Sequence, residues 1–467
     1  MATPATVAGQ WTGAPVSPGL QATMARCKLF AGAVGAMCTL TSPAWIQLLF
    51  FPENFDPGTA LFFTPVLLLL TLAWILRSTS RDGFMRRLLL AALAMKLAGA
   101  AAVVYVFFRV YGGNADMIGY FNAGQRVVLA LRNQGDWPFT RYTSTEFAGI
   151  ITGLVLLVIG TSFPAAVAAF ALLSYFGQFL YYRAFLAALP NGNRYLAATL
   201  LMLLPSIVYW TAPMGKDSLI LFFMSLAIYG YARIYSKMDA KSWALFTFGM
   251  VGAAFVRPHI AAMLAMSCTV PYLLSRNRQG LLGMLARMFA IPLLLVGTYF
   301  LVSQARQFVQ VEDVQSAMTR LETIQKGLQV GGGSSFGGSL ASRLALAPFL
   351  PFRPFPWEVR SSQMAIASLE GVALMALFWM RRRKLLAALG RWRHNPVIFM
   401  AALYCAEFLI IFSAASGNFG TLSRQRVMML PLLIMLCCAW EGDPVAAPLP
   451  AQVRAPTMPA AIPGVRR

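Results

Sequence analysis

A succession of apolar runs, many of them close to twenty residues, separated by short clusters of lysine and arginine, constrains this chain more than any other feature. The runs occupy 29–51, 60–76, 88–110, a long block at 147–182, then 195–212, 217–235, 243–256, 260–275, 281–303, 362–380, 396–415 and 427–440. About twenty apolar residues is the length of helix that crosses the hydrocarbon of a bilayer. Composition agrees: 58% of residues are hydrophobic and only 12% are charged, where a soluble domain carries about 25%. The expected fold is all-α, a polytopic integral membrane bundle of about 12 transmembrane segments with outer-face loops and short interfacial helices.

The charges are lopsided, 38 Lys and Arg against 16 Asp and Glu, a net +22. Nucleic acid is one partner such an excess suggests, but location argues against it, because the cations fall in the short links between apolar runs. They form five clusters: Arg77, Arg81, Arg86 and Arg87; Arg183 and Arg194; Arg233, Lys237 and Lys241; Arg276 and Arg278; and Arg381 to Lys384 with Arg391 and Arg393. The positive-inside bias places all five on one face, with both termini cytoplasmic. Residues 1–27 and 441–467 then read as disordered cytoplasmic tails flanking a membrane domain at 28–440. The block 147–182 must make one net crossing yet is too long for one span, so a re-entrant or kinked piece is expected near Thr161–Pro164. The six cysteines have no ligand spacing and read as small apolar fillers, and only two histidines exist, so a His-rich metal site is excluded; no cofactor is indicated, and metal dependence stays open.

The remaining polar features fall on the opposite, outer face. In the loop 111–146, Asp116 and Tyr120 stand four residues apart and share a face if a short helix starts near Asn114 or Asp116. Asp116 there is either a helix cap or a general base at the membrane surface. The turn Pro213–Asp217 either exposes Lys216 as a point charge for a phosphate, with Asp217 capping the next helix or orienting the lysine, or holds an interfacial snorkelling lysine beside a capping aspartate. Arg257-Pro258-His259 interrupts an apolar run: the proline breaks the helix, the arginine offers a fork for phosphate oxygens, and His259 a hydrogen-bond donor or a proton shuttle. Arg424 and Arg426 run against the charge bias, so an anionic ligand or an acidic partner such as Asp116 must compensate them. The loop 304–361 begins amphipathic, passes a glycine-rich hinge at 331–338 and ends in an aromatic, proline-rich stretch at 348–357. It reads as a lid or as an inert interfacial platform.

This ordering, an outer-loop Asp with a Tyr four residues on, a Gly-Lys-Asp turn, an intramembrane Arg-Pro-His and an Arg-x-Arg before the last run, resembles the inner-membrane polysaccharide polymerases of Wzy and EpsG type. It is also similar to the wider GT-C class of polyprenyl-phosphate-dependent glycosyltransferases. The resemblance covers roughly residues 107–434 and is one of pattern; Arg320 and Gly331 also match the Arg-x10-Gly spacing of some Wzy-type proteins. It implies transfer of a sugar or oligosaccharide repeat from a polyprenyl phosphate or pyrophosphate donor, on the extracytoplasmic face of a bacterial inner membrane. Asp116 and His259 would be catalytic; Tyr120, Lys216, Asp217, Arg257, Arg424 and Arg426 would bind substrate. GT-C enzymes often carry an acidic pair where this chain has Asp116 alone. The partners implied are the lipid-linked donor, membrane lipid and other polysaccharide-assembly proteins. A transporter or flippase of lipid-linked oligosaccharide is the alternative from another class, but no internal repeat of the kind such proteins carry is visible.

Overall fold

The computed structural model describes residues 57–110, 112, 116–132, 135–140, 142–237, 239–274, 340–415 and 418–441. The expected spans at 29–51 and 281–303, the cluster at Arg276 and Arg278, the Arg320–Gly331 spacing, the amphipathic start and hinge of the loop 304–361 and nearly all of both tails lie outside them. Among the described residues the chain is helical, with no strand. In order, the helices are α1 (Pro57–Ser78), α2 (Gly83–Tyr105, continued as a π-helical turn Val106–Val110), α3 (Asp116–Leu131), α4 (Thr145–Ile159), α5 (Phe163–Ala188), α6 (Arg194–Leu203), α7 (Pro205–Trp210) and α8 (Lys216–Ser236). They continue as α9 (Ala240–Val256), α10 (Pro258–Leu274), α11 (Leu340–Ala345), α12 (Ser362–Gly390), α13 (Pro396–Ala415), α14 (Phe419–Gln425) and α15 (Leu430–Cys438).

Five of these helices are long and apolar enough to cross a membrane, or six if the bent pair around α14 and α15 is one span. The expected number of about 12 is not reached among the described residues. The apolar exterior fits the same environment: Ile366, Leu369, Trp379 and Met380 on α12 are 64–73% exposed. A continuous surface of that kind is stable against lipid tails and not against water. The chain is therefore a membrane-embedded helical protein.

Local chemistry sets the helix ends. Asp82, Asn193 and Asp239 accept hydrogen bonds from the backbone N–H three residues on, at 3.0, 3.0 and 2.8 Å, satisfying donors a helix start leaves open. The long block breaks where the sequence predicts: Gly160 takes φ +83° and α5 restarts at Phe163–Pro164. α4, at 15 residues, is roughly 22 Å long, short of a crossing, and lies flush on α3; a Cβ on Gly153 would stand 2.5 Å from Val127. One expectation is corrected. The run 195–212 is not one span, because Pro205 supplies no N–H and holds Leu204 extended at ψ 121°, splitting it into α6 and the two-turn α7.

α8 is the axle of the bundle. In its apolar window 78% of residues are buried, against 28% for α12. Glycines let its neighbours approach: Gly177 of α5 meets the Phe222 backbone, and Gly230 and Gly249 leave no room for a Cβ between α8 and α9.

The short α7 is latched at both ends by buried side chains, Glu370 and Lys96. At its start the Ser206 N–H donates to Glu370 Oε2 at 2.6 Å. At its end the fully buried Lys96 ammonium donates to Thr211 Oγ1 at 2.6 Å and faces the Ile207 and Val208 carbonyls at 3.5 and 3.4 Å. A carboxylate at a helix start complements the helix dipole, and the Lys96 amine satisfies acceptors that the helix end leaves open.

Four of the five cationic clusters gather at one end of the bundle. Arg183, Arg194, Arg233 and Lys237 surround one cleft together with Asp82. Nearby, Glu441 holds Arg381 and Lys384 and donates its N–H to Asn191 O at 3.0 Å. Glu441 is thus an anchored residue, a correction to its assignment to a free tail.

Candidate functional site

The opposite end of α8, at Lys216, collects residues from four separate segments. The chain leaves α7 at Trp210 and turns at Gly215, whose φ of +143° only glycine adopts readily. A Cβ at Gly215 would also stand 2.7 Å from the Tyr120 ring. Tyr120, only 3% exposed, is therefore the floor on which the turn rests. Burial, reinforced by Asp116, pushes its phenol up to about 12, so at neutral pH it is a neutral hydroxyl. Gly215→Ala meets both obstacles, strain and overlap, and is expected to cost about 1–3 kcal/mol in denaturation of the purified protein, with activity falling alongside.

The turn delivers Lys216 and Asp217 to the first turn of α8, where a carboxylate is favoured. Asp217 is 4% exposed and spans two arginines. Its Oδ1 accepts from Arg257 Nη2 at 2.5 Å, and its Oδ2 accepts from Arg424 Nε. Arg257 reaches it because Pro258 ends α9, leaving the arginine at the α9–α10 break with its Nη1 on Gln425 Oε1 at 2.7 Å and close to the Met428 sulfur. Arg424 comes from α14, which Asn418 starts by accepting from the Gly420 N–H at 2.7 Å. Its Nη1 donates onward to Asp116 Oδ2 at 3.0 Å. The result is one continuous ladder, Asp116, Arg424, Asp217, Arg257, Gln425.

The ladder runs from exposed to buried. The Asp116 side chain is 62% exposed and that of Arg424 30%, while Asp217 and Arg257 fall to 4% and 8%. Its open rung borders a cleft of about 160 Å³ whose other walls include Phe107, Trp210, Pro213 and Met214. Two acids balance two arginines, and Lys216 remains as the surplus cation. Its ammonium lies within electrostatic range of all four and donates to Thr145 Oγ1 at 3.1 Å, on the start of α4.

Of the residues singled out in the sequence, Asp116, Tyr120, Lys216, Asp217, Arg257 and Arg424 are brought together, and His259 and Arg426 stand apart from the ladder. His259 begins α10 exposed, within electrostatic range of Arg257 and Lys216; no hydrogen bond to its imidazole is found among the described residues. Arg426 is a correction. It is 0% exposed and donates inward, to Pro351 O, Arg353 O, Ser206 Oγ and Glu370 Oε1 at 2.7–3.1 Å. It ties the turn at Ala347–Phe352 to α7 and α12 and does not face the cleft; Arg424, two residues earlier, does. The arginines that ran against the charge bias are compensated by acids.

Sequence reasoning passed over Gln425, Thr145, Lys96 and Glu370. The last two carried a signal, since a lone lysine within 88–110 and a lone glutamate within 362–380 are intramembrane ions that need partners. Among the described residues no three His, Cys, Asp or Glu side chains come together as a metal site.

The chain matches no known protein family, no curated protein and no solved structure.

Proposed function

We propose that the chain is a membrane glycosyltransferase or polymerase of surface-polysaccharide biosynthesis. It would transfer a sugar or oligosaccharide repeat from a polyprenyl phosphate or pyrophosphate donor at the extracytoplasmic surface. The observation that carries this reading is the ladder from an exposed carboxylate, Asp116, through Arg424 into a buried acid–arginine pair beside a small cleft. The pattern resemblance to Wzy, EpsG and GT-C proteins points the same way.

In this reading the acceptor hydroxyl attacks the anomeric carbon of the donor. The new C–O bond forms as the bond from that carbon to the phosphate oxygen breaks, and the polyprenyl phosphate or pyrophosphate leaves. Asp116 takes the hydroxyl proton. Arg424 and Lys216 meet the charge growing on the leaving phosphate, donors already in place in a partly desolvated site. The arriving phosphate competes with Asp116 for Arg424, and that exchange frees the carboxylate to act as base. Asp217 and Arg257 hold Arg424 in position from below. Tyr120, neutral and buried, shapes the turn.

Asp116→Asn retains size and exposure but removes the base, and general-base catalysis typically contributes 10²–10⁴-fold. Expressed in a strain lacking the chain, this variant is expected to insert at the normal level and to restore little or no polymer. Full polymer production by a stably inserted Asp116→Asn protein rules the base role out.

One buried group favours a second reading, a transporter or flippase of lipid-linked oligosaccharide. Glu407 of α13 is 8% exposed, accepts from Ser267 Oγ at 3.1 Å on one carboxylate oxygen and leaves the other without a bond among the described residues. A path of intramembrane ionisable groups is what transport uses. Under that reading Glu407→Gln stops polymer formation while Asp116→Asn does not.

A further inference from the structure

At the far end of α8 from the ladder, 21 residues along the helix and about 30 Å away, lies the larger cleft, of about 620 Å³. Its rim carries Arg183 from α5, Arg194 from the start of α6, and Arg233 and Lys237 from the end of α8, against the single carboxylate of Asp82. Asp82 is engaged as the cap of α2, and Arg233 alone has a carboxylate partner, Asp239 at 2.8 Å. Among the described residues no carboxylate lies within ion-pair distance of Arg183, Arg194 or Lys237.

Aromatic rings hold these arginines instead. Arg183 lies 5.8 Å from the Tyr229 ring centre and 5.9 Å from that of Phe179, with Nη2 on the Tyr229 hydroxyl at 3.4 Å. Arg233 lies 5.7 Å from the same Tyr229 ring, and its Nη1 meets the same hydroxyl at 3.5 Å. Arg194 lies 4.7 Å over Tyr195. Arg194 Nη2 also donates to the Tyr195 hydroxyl at 2.7 Å, and Arg233 is fully engaged by Ser242, Tyr229 and Asp239. A ring orients a guanidinium without neutralising it, so the remaining N–H groups of the exposed Arg183 and Arg194 stay available. Met85 and the partly exposed Leu186 add apolar wall to the cleft.

We infer that this cleft binds a phosphate-bearing anion, the headgroup of an anionic lipid or a soluble phosphate, with Arg183 and Arg194 as its principal donors. Guanidinium forks match phosphate oxygens, and a basic cleft between membrane helices on the cation-rich face is the setting in which anionic headgroups are held. The volume suits a headgroup or a pyrophosphate. This site is independent of the ladder and of the reaction proposed there.

The purified full-length protein is titrated with dioctanoyl-phosphatidylglycerol, with inorganic pyrophosphate and with the zwitterionic dioctanoyl-phosphatidylcholine. The same titrations are run on R183Q/R194Q and on R382Q/R383Q, which removes two cations of the same face outside the cleft. Saturable binding of phosphatidylglycerol or pyrophosphate, weakened roughly tenfold or more in R183Q/R194Q and unchanged in R382Q/R383Q, is the expected result. Phosphatidylglycerol alone identifies a lipid headgroup, pyrophosphate alone a soluble anion, and both a site open to either. No saturable binding of either anion, phosphatidylcholine binding as tightly, or equal weakening in the two double variants overturns the inference.

Discussion

Asp217→Asn is expected to be the most damaging single change at the site. The carboxylate it removes is buried and serves Arg257 and Arg424 at once. Neutralising it leaves two guanidiniums facing each other with no shared counterion. Breaking a buried ion pair by removing one partner costs about 3–5 kcal/mol, and here a single residue breaks two pairs. The loss is read as a lower denaturation midpoint of the purified protein and as absent polymer in cells. Arg257→Gln added in the same chain takes away one of the stranded cations, so D217N/R257Q is expected to be more stable than D217N alone. That coupling, measured as a double-mutant cycle, separates loss of charge balance from general damage. A D217N protein as stable as the parent means that Asp217 does not compensate the two arginines.

Glu370→Gln is the second large effect, and it lies away from the cleft. Glu370 Oε1 faces the fully buried Arg426 at 3.0 Å, and its Oε2 accepts from the start of α7 at 2.6 Å. Without the carboxylate, Arg426 keeps only carbonyl and hydroxyl partners, and the cost is again about 3–5 kcal/mol. Because α7 runs directly into the Gly215 turn, loosening its start also misplaces Lys216 and Asp217. E370M/R426L replaces the pair by apolar side chains of similar bulk, and such replacements are often neutral. It is expected to recover most of the stability that E370Q loses. If both proteins are equally destabilised, the pair is holding the turn in place through its hydrogen bonds and not through charge balance.

Patterns that depend on the nearest few residues were legible in the sequence. The apolar runs and the Lys/Arg clusters fixed an all-helical membrane chain with four clusters at one end. Gly160 and Phe163–Pro164 broke the long block where it exceeded a crossing, and Pro258 broke the helix beside Arg257. The grouping of Asp116, Tyr120, Lys216, Asp217, Arg257 and Arg424 at one end followed from assigning loops to faces.

Pairing was not legible. Asp116 and Arg424 are 308 positions apart, and Asp217 serving two arginines depends on the tertiary approach of α8, α9 and α14. Arg424 and Arg426 look alike in the sequence, yet two positions along the helical stretch Phe419–Met428 turn them to opposite sides, one to the cleft and the other into the core. Pro205 lies inside the run 195–212, which reads in the sequence as one span. Its effect on the 195–212 run depends on Glu370 and Lys96, which stabilise a two-turn helix that would otherwise be too short to persist.

The most direct test of the proposed reaction is mass spectrometry of the polyprenyl-linked glycan pool in a strain lacking this chain. A lipid-linked intermediate is expected to accumulate there while long polymer disappears. Complete single repeat units mark a polymerase, and a unit short of one sugar marks a monosaccharide transferase. Return of the pool to normal on re-expressing the intact chain, but not Asp116→Asn, would tie the intermediate to the ladder. An unchanged pool in the strain lacking the chain contradicts the account.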